Sequence, residues 1–166
     1  MNRCLMTHSL LASWLYALRD NPYEDLTTER DPMAEFMTVL RREPTPTTEA
    51  MENGRKFEDL VTDIIHGCAD TNDPWYKAAE NIAHRCAGGA LQLVAKKPAE
   101  VSGIPLLLYG RLDVLKAGSI IDIKFTKSYD TGKFFDSTQH PMYFELVPEA
   151  KDFTYLASNG SAVWPE

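Results

Sequence analysis

The spacing of apolar residues divides the chain into a helical first part and a strand-rich second part. Up to residue 86 the apolar positions recur at three- and four-residue intervals, the period of an amphipathic helix. After Gly88-Gly89 the period shortens toward two, as expected of strands. The pattern predicts helices over 8–19, 33–42, 49–66, 75–86 and 138–146, and strands over 90–95, 106–115, 119–126, 153–158 and 161–164.

Local signals indicate where several of these elements begin and turn. Thr48 follows a proline-rich stretch and is placed to cap the long helix. The dipeptides at 117–118 and 159–160 each separate two strand-like runs, which indicates two-residue hairpins. The order of elements predicts one domain of the α/β (α+β) class, a central mixed sheet flanked by helices, with an N-terminal helical segment over 1–48 and a core over 49–166.

Composition and charge narrow the class of protein. The chain has 166 residues, enough to bury a core, and its apolar runs are too short to span a bilayer, so we expect no membrane contact. The net charge of −7 argues against a surface that coats nucleic acid broadly, yet it is compatible with a local basic groove. Three widely spaced cysteines without a CxxC pair predict reduced thiols, no iron–sulfur cluster and a cytoplasmic protein.

Two carboxylates and a lysine are expected on one face of the sheet. Asp122 and Lys124 are two residues apart on a strand and share a face, whereas Ile123 points to the other face and the core. If 117–118 form a two-residue turn, the register of the hairpin pairs Asp113 with Asp122, with Cβ atoms roughly 4.5–5.5 Å apart. Like charges so placed destabilise a sheet unless a cation lies between them.

The chemistry of these side chains indicates a divalent metal. Mg²⁺ prefers hard oxygen ligands and often takes one or two carboxylates together with water and substrate phosphate. A third acid, Glu58, lies three residues before Val61 and borders the apolar stripe of the long helix, so it needs a partner if it is buried. The sequence therefore predicts a magnesium site, against the alternative of an ordinary surface cluster held by salt bridges.

Four motifs in order along the chain match the pattern of one nuclease superfamily. They are Gly54-x-x-x-Glu58, Gly110-Arg-Leu-Asp113, Asp122-Ile-Lys124 and Gln139-x-x-x-Tyr143. Together they resemble the PD-(D/E)XK nucleases, and within them the RecB-type and lambda-exonuclease-like phage nucleases. The resemblance covers roughly 53–158. It departs from the pattern at Leu112, where the superfamily name has proline, and members of the family usually continue with more helix after the last strand.

The resemblance implies a restriction-endonuclease-like core and a role for each matched residue. Asp113 and Asp122 would bind Mg²⁺, with Mn²⁺ as a substitute. The Ile123 carbonyl would be a further ligand, and Glu58 would bind directly or through water. Lys124 would position and help activate the attacking water.

Four further side chains complete the expected site. The resemblance implies that Gln139 orients Lys124 or the scissile phosphate and that Tyr143 supports it from one helical turn away. Arg111 shares the face of Asp113 and is a candidate phosphate contact, with a salt bridge as the alternative. Lys127 follows the site and is a candidate for lining a DNA groove, with a solvated loop charge as the alternative.

The activity implied by the resemblance is exonucleolytic hydrolysis of linear double-stranded DNA in recombination or repair of phage type. Two alternatives stay open: an endonuclease of restriction or junction-resolving type, and a nucleic-acid-binding module without turnover. DNA is the expected partner, with a single-strand annealing protein and a second copy of the chain as further candidates. The setting would be the cytoplasm of a bacterial or phage-infected cell. No GxxxxGK[ST] occurs, so we expect no nucleotide cofactor.

Overall fold

The structure is a computed structural model that describes residues 3–19 and 31–166, so part of the N-terminal segment expected over 1–48 lies outside it. In chain order the elements are β1 (Cys4–Met6), α1 (His8–Ala17), α2 (Pro32–Arg41), α3 (Glu49–His66), α4 (Tyr76–Cys86), β2 (Ala90–Val101), β3 (Ile104–Lys116), β4 (Ser119–Phe125), α5 (Gln139–Leu146), β5 (Asp152–Ser158) and β6 (Val163–Pro165).

The strands of the described residues form one open, mixed sheet of six strands centred on β3. β2 pairs antiparallel along nearly the whole length of β3. β1 pairs with β3 in parallel, and β4 pairs with it antiparallel at its C-terminal end. β4 and β5 are parallel, with α5 in the connection between them, and β6 returns antiparallel to β5. This arrangement confirms the predicted α/β fold with a central mixed sheet.

Helices cover both faces of the sheet. On one face, α3 and α4 bury Phe57 and Ile82 against Ile121 and Ile123 of β4. On the other face, α5 packs on β3 and β4 around Ile120, and α1 adds partly buried side chains there. β4 is therefore buried on both sides, and a polar group on this strand is removed from bulk water unless a cleft reaches it.

Two of the local signals are confirmed. The Thr48 hydroxyl accepts a hydrogen bond from the Met51 amide at 3.2 Å and caps α3. Ala117 and Gly118 both have positive φ, 51° and 85°, as a tight hairpin with two central residues requires, and Lys116 pairs with the first residue of β4. This turn therefore sets the register of the β3–β4 hairpin. Continued by one residue, that register would place Asp113 opposite Asp122.

The first hairpin of the sheet is longer than predicted. β2 continues to Val101 instead of stopping at residue 95, and it turns into β3 at Ser102 and Gly103, which both have positive φ. The charged residues and Pro98 in this stretch break the expected apolar alternation. They are tolerated because β2 lies at an edge and pairs only with β3.

At the ends of the sheet, one prediction is wrong and one strand was not predicted. The turn at Asn159-Gly160 is not a two-residue hairpin: the loop spans 159–162, because the Asn159 side chain accepts hydrogen bonds from the Ser161 and Ala162 amides and delays the start of β6. β1 was not predicted, since three residues are too few to display a period of two.

No helix among the described residues is long and apolar enough to cross a membrane.

The close approach of α5 to β3 depends on one glycine. A Cβ atom built on Gly110 would lie 2.7 Å from side-chain atoms of both Tyr143 and Leu146. We expect Gly110→Ala to destabilise the fold by about 1–3 kcal/mol, because either α5 or the strand must move. Thermal denaturation should show a fall of roughly 2–4 °C per kcal/mol.

Gly54→Ala is the matched control for this prediction. Gly54 lies inside α3, and a Cβ there meets no described atom within 4 Å. It should raise stability by roughly 0.5–1 kcal/mol, since alanine is the better helix former. If both substitutions shift the melting temperature in the same direction, the packing of α5 does not depend on Gly110.

Candidate functional site

The site begins where β3 and β4 separate. Their backbone pairing reaches Val114 opposite Ile121 and extends no further toward the start of β3. One step beyond, the Asp113 Oδ2 atom accepts a hydrogen bond of 2.9 Å from the Ile123 amide. A side-chain carboxylate thus takes the place of a backbone carbonyl. Continuing this register by one residue would place Asp113 opposite Asp122, but the two form no backbone pair.

The strand on the other side of Asp113 is also distorted. Gln92 of β2 has φ of 52°, a left-handed conformation that is uncommon for any residue with a side chain. Its Oε1 atom is buried and has no hydrogen-bond donor within the described ranges. The β2–β3 ladder lacks a Gln92–Asp113 pair, although it is paired on both sides of this position, at Leu91↔Val114 and Leu93↔Leu112.

This interruption changes which way the side chains of β3 point. Leu112 and Val114 are two residues apart and would share a face in a regular strand. Instead, Leu112 packs in the cluster under α5 and Val114 in the cluster under α3 and α4. The alternation therefore breaks at Asp113. Local breaks of this kind re-aim a side chain, and here the carboxylate meets the Ile123 amide.

Asp122, Lys124 and Gln139 form a compact polar network on the α5 face. Asp122 is only 2% exposed. Gln139, the first residue of α5, donates from Nε2 to Asp122 Oδ1 and accepts at Oε1 from Lys124 Nζ at 2.9 Å. Lys124 Nζ lies 2.7 Å from Asp122 Oδ2 and forms a salt bridge with this buried oxygen.

Tyr143 holds α5 in place one turn further along. Its hydroxyl donates a 2.9 Å hydrogen bond to the carbonyl of Arg111 on β3, two residues before Asp113. Burial raises its pKa to about 12, so it remains a donor at neutral pH. The phenol supports the site through the backbone of β3, and Gln139 reaches the acid and the lysine directly.

Without a metal ion, the surroundings of the three acids raise their pKa values and so favour their protonated forms. Burial raises the pKa of Asp122, and the neighbouring Asp113 adds to the rise. Burial also raises the pKa of Asp113, opposed by the Ile123 amide. Glu58 is half-buried on α3; burial first, then Asp113 and Asp122, raise its pKa to about 7. For Lys124, burial lowers the pKa, but Asp122 and Asp113 together with Tyr155 outweigh it and the net shift is upward.

These residues fit a magnesium ion held by two carboxylates. No three His, Cys, Asp or Glu side chains within 3–19 and 31–166 lie close enough to surround one ion. Mg²⁺ does not need such a cage, since it commonly keeps waters and takes one or two carboxylates. Asp122 Oδ2 is in contact with the Lys124 ammonium group at 2.7 Å, and its remaining lone pairs are those that an ion would use. The geometry favours contact of Glu58 through water over direct ligation.

A cavity of about 470 Å³ opens above this arrangement on the α3 side. Glu58, Ile123 and Lys124 line it, together with the exposed arginines Arg55 and Arg111. Neither guanidinium forms a salt bridge or a side-chain hydrogen bond with another described residue, so both are available to an anion.

A second cavity, of about 510 Å³, opens on the other side of Lys124 and Gln139, beneath α1. One wall of this cavity is formed by His8 and Tyr16 of α1 and by Arg19, which follows the helix. The Thr138 hydroxyl donates to the His8 carbonyl at 3.0 Å, and the His8 ring meets Tyr143 edge to face at 5.9 Å. Burial, then Lys124, lower the pKa of His8 to about 4, so the ring is neutral at neutral pH.

The structure brings most of the predicted residues together and leaves one outside. Lys127 is exposed in the loop after β4 and lines neither of these two cavities. Arg55 and His8 were not predicted. Arg55 precedes Glu58 by three residues, a helical spacing that could have placed both on one face. His8 carried no such signal, because its neighbours in the site are more than a hundred residues away in sequence.

Comparison with known proteins bears only on the fold. No family model matches the chain, and no curated protein matches it. Among solved structures, the crystal structure of SSO0001 is similar, with a TM-score of 0.52 and 14% sequence identity over 100% of this chain and 67% of the other. At this identity the similarity supports the α/β fold alone.

The strain at Gln92 gives a prediction about stability. A non-glycine residue in this backbone region costs of order 1–3 kcal/mol. We expect Gln92→Gly to be at least as stable as the wild type, because glycine adopts positive φ freely. Gln92→Val should lower the melting temperature, since a β-branched residue is an outlier at positive φ. Chemical denaturation of both variants measures the difference.

Leu93→Val serves as the control on the same strand. Leu93 is partly exposed and has a regular partner on β3. Its substitution should change stability by no more than about 0.5 kcal/mol. Equal stability of the glycine and valine variants at position 92 would mean that the ladder break stores no strain.

Proposed function

We propose that this chain is a metal-dependent DNA nuclease of the PD-(D/E)XK type that hydrolyses phosphodiester bonds. The observation that carries the proposal is the convergence of two buried acids with one lysine, in which Lys124 Nζ forms a salt bridge of 2.7 Å with the buried Asp122 Oδ2. Burying two carboxylates side by side costs stability, and within the described ranges the cation in contact with Asp122 is the partly exposed Lys124. A divalent ion would offset that cost.

The reaction adds water to phosphorus and breaks one P–O ester bond. The products are a phosphomonoester and a hydroxyl end, and the departing oxygen takes up one proton from the water. When bound, Mg²⁺ lowers the pKa of a water molecule and offsets charge on the phosphate. Asp113 and Asp122 would hold the ion, and the half-buried Glu58 would orient water next to it.

Lys124 and Gln139 would act on the reacting groups themselves. The Lys124 ammonium group, fixed by Gln139 Oε1 and by the charge of Asp122, donates to the attacking water or to a phosphate oxygen. Tyr143 positions the helix that carries Gln139. Arg111 and Arg55 supply positive charge on the cavity wall for the phosphates of the strand.

The favoured substrate is a free end of linear double-stranded DNA, in the cytoplasm of a bacterial or phage-infected cell. This choice rests on the QxxxY pattern at 139–143, which resembles end-processing nucleases more than restriction enzymes. An endonuclease and a DNA-binding module without turnover are the competing outcomes, and one assay separates all three.

Alanine at any residue of the acid–acid–lysine set should abolish cleavage. We expect Asp113→Ala, Asp122→Ala and Lys124→Ala each to lower the rate at least about 10²-fold, because each removes a metal ligand or the donor to water. The measurement is cleavage of linear duplex DNA with Mg²⁺ or with EDTA. Circular dichroism of each variant checks that the fold is retained.

Two adjacent acids of α3 provide a matched pair in this assay. Glu58→Gln should be strongly impaired, whereas Asp59→Asn, an exposed neighbour, should retain normal cleavage. Near-normal cleavage by Asp113→Ala or by Asp122→Ala would contradict the assignment of these residues as metal ligands. Equal rates on closed circles and linear duplexes identify an endonuclease, and DNA binding without any cleavage identifies the binding module.

Metal binding should also appear as stability, independently of cleavage. Burial raises the pKa of Asp113 and Asp122. A carboxyl group whose folded-state pKa exceeds its unfolded value of about 3.9 destabilises the fold once the pH is above that value. We expect the metal-free double variant Asp113→Asn/Asp122→Asn to melt above the metal-free wild type at neutral pH, because it lacks both charges.

Saturating Mn²⁺ or Mg²⁺ should then raise the melting temperature of the wild type only. At a hundredfold excess over Kd the gain is about 2.7 kcal/mol, which corresponds to several degrees at roughly 2–4 °C per kcal/mol. Thermal denaturation of both proteins, with metal and with EDTA, makes the comparison. An equal response in the double variant would place the ion elsewhere.

A further inference from the structure

The two cavities beside the site share Lys124 and differ in chemistry. We define the cavity beneath α1 as the α1 cavity and the one above Glu58 as the arginine cavity. Lys124 lines both, and its amino group contacts Asp122, which lines neither. A phosphate held by the Lys124 ammonium group would therefore send its two ester oxygens toward different surroundings.

The arginine cavity suits a second phosphate. Arg55 and Arg111 are exposed on its wall and form no salt bridge with described residues. Guanidinium groups bind phosphate oxygens in a paired geometry. The next phosphate along a nucleic-acid strand is the group that this wall would hold.

The α1 cavity suits a sugar and base better than a phosphate. His8 is neutral there at neutral pH, and Asp136 offsets part of the positive charge of Lys124 and Arg19, which also line the cavity. Tyr16 lines it too; this residue is 52% exposed and packs in neither core cluster. Exposed aromatic rings beside a cationic groove are platforms for stacking bases. Arg19, two residues after the end of α1, is one of the two basic residues of this groove.

We propose that the α1 cavity binds the nucleoside attached to the scissile phosphate of one DNA strand, with its base stacked on Tyr16. This inference rests on the proposed function, which supplies the phosphate at Lys124. It gives α1 a role in substrate binding that the chemistry of the acids and the lysine does not require. The base of that nucleoside is unpaired when it occupies the cavity, so the site would take a single-stranded or frayed segment.

The test compares binding of two oligonucleotides that differ only in their bases. One is a fluorescent oligothymidylate of about eight nucleotides, within the typical range of about 4–16 nucleotides for single-strand sites. The other is the same deoxyribose-phosphate chain without bases. Fluorescence anisotropy would be measured with the full chain carrying Asp122→Asn, so that binding is observed without cleavage.

Tyr16→Ala in this background should raise the Kd for oligothymidylate by roughly 5- to 150-fold, the equivalent of about 1–3 kcal/mol for one stacked base. It should leave the Kd for the abasic chain unchanged, and Tyr16→Phe should bind both as the parent does. Trp14→Ala is the control: Trp14 lies on the same helix with 43% exposure but lines a separate apolar groove. It should change neither Kd.

The outcomes separate this inference from the proposed function. An equal loss on both oligonucleotides, no loss on either, or no binding by the parent would overturn stacking on Tyr16. Cleavage of DNA by the wild type is measured separately. If the wild type cleaves DNA while Tyr16→Ala behaves like Trp14→Ala, the α1 cavity is not the nucleoside site and the nuclease assignment stands. If base-dependent binding through Tyr16 is found without any cleavage, the α1 cavity is a nucleoside site, and the nuclease assignment fails together with the description of the bound phosphate as scissile.

Discussion

The hydrogen bond from the Ile123 amide to the Asp113 carboxylate is the contact on which the candidate site depends. It joins β3 and β4 where their backbone ladder has ended, so the strands can separate without leaving a buried amide unsatisfied. The gap between them is filled by polar side chains in place of a ladder. Asp122 is buried on the neighbouring strand, and among the described residues its side chain contacts the polar groups of Lys124 and Gln139.

The crossover helix α5 supplies the second constraint. Gly110 allows the helix to approach β3 closely, and the hydrogen bond from Tyr143 to the Arg111 carbonyl fixes its position along the strand. Gln139 at the start of the helix then reaches both Asp122 and Lys124. The packing of one helix thus determines the orientation of the lysine.

The site combines local instability with a specific distribution of charge. Two buried acids and a left-handed Gln92 lie within one sheet, and each costs free energy in the absence of a ligand. The chain carries a net charge of −7, yet Arg55, Arg111 and Lys124 all line the cavity above the acids. An anionic strand would therefore meet positive charge only locally, which favours recognition at one place over coating of the surface.

The sequence by itself determined most of the elements and the register of the β3–β4 hairpin. Period-two and period-3.6 patterns predicted the helices and most strands, and the turn at 117–118 set the pairing of Lys116 with Ser119 and of Val114 with Ile121, because hairpin geometry is a local property. The tertiary structure alone decided the rest. The break at Gln92, the extension of β2 to Val101 and the positions of His8 and Arg55 depend on contacts between segments far apart in sequence, which a local pattern does not encode.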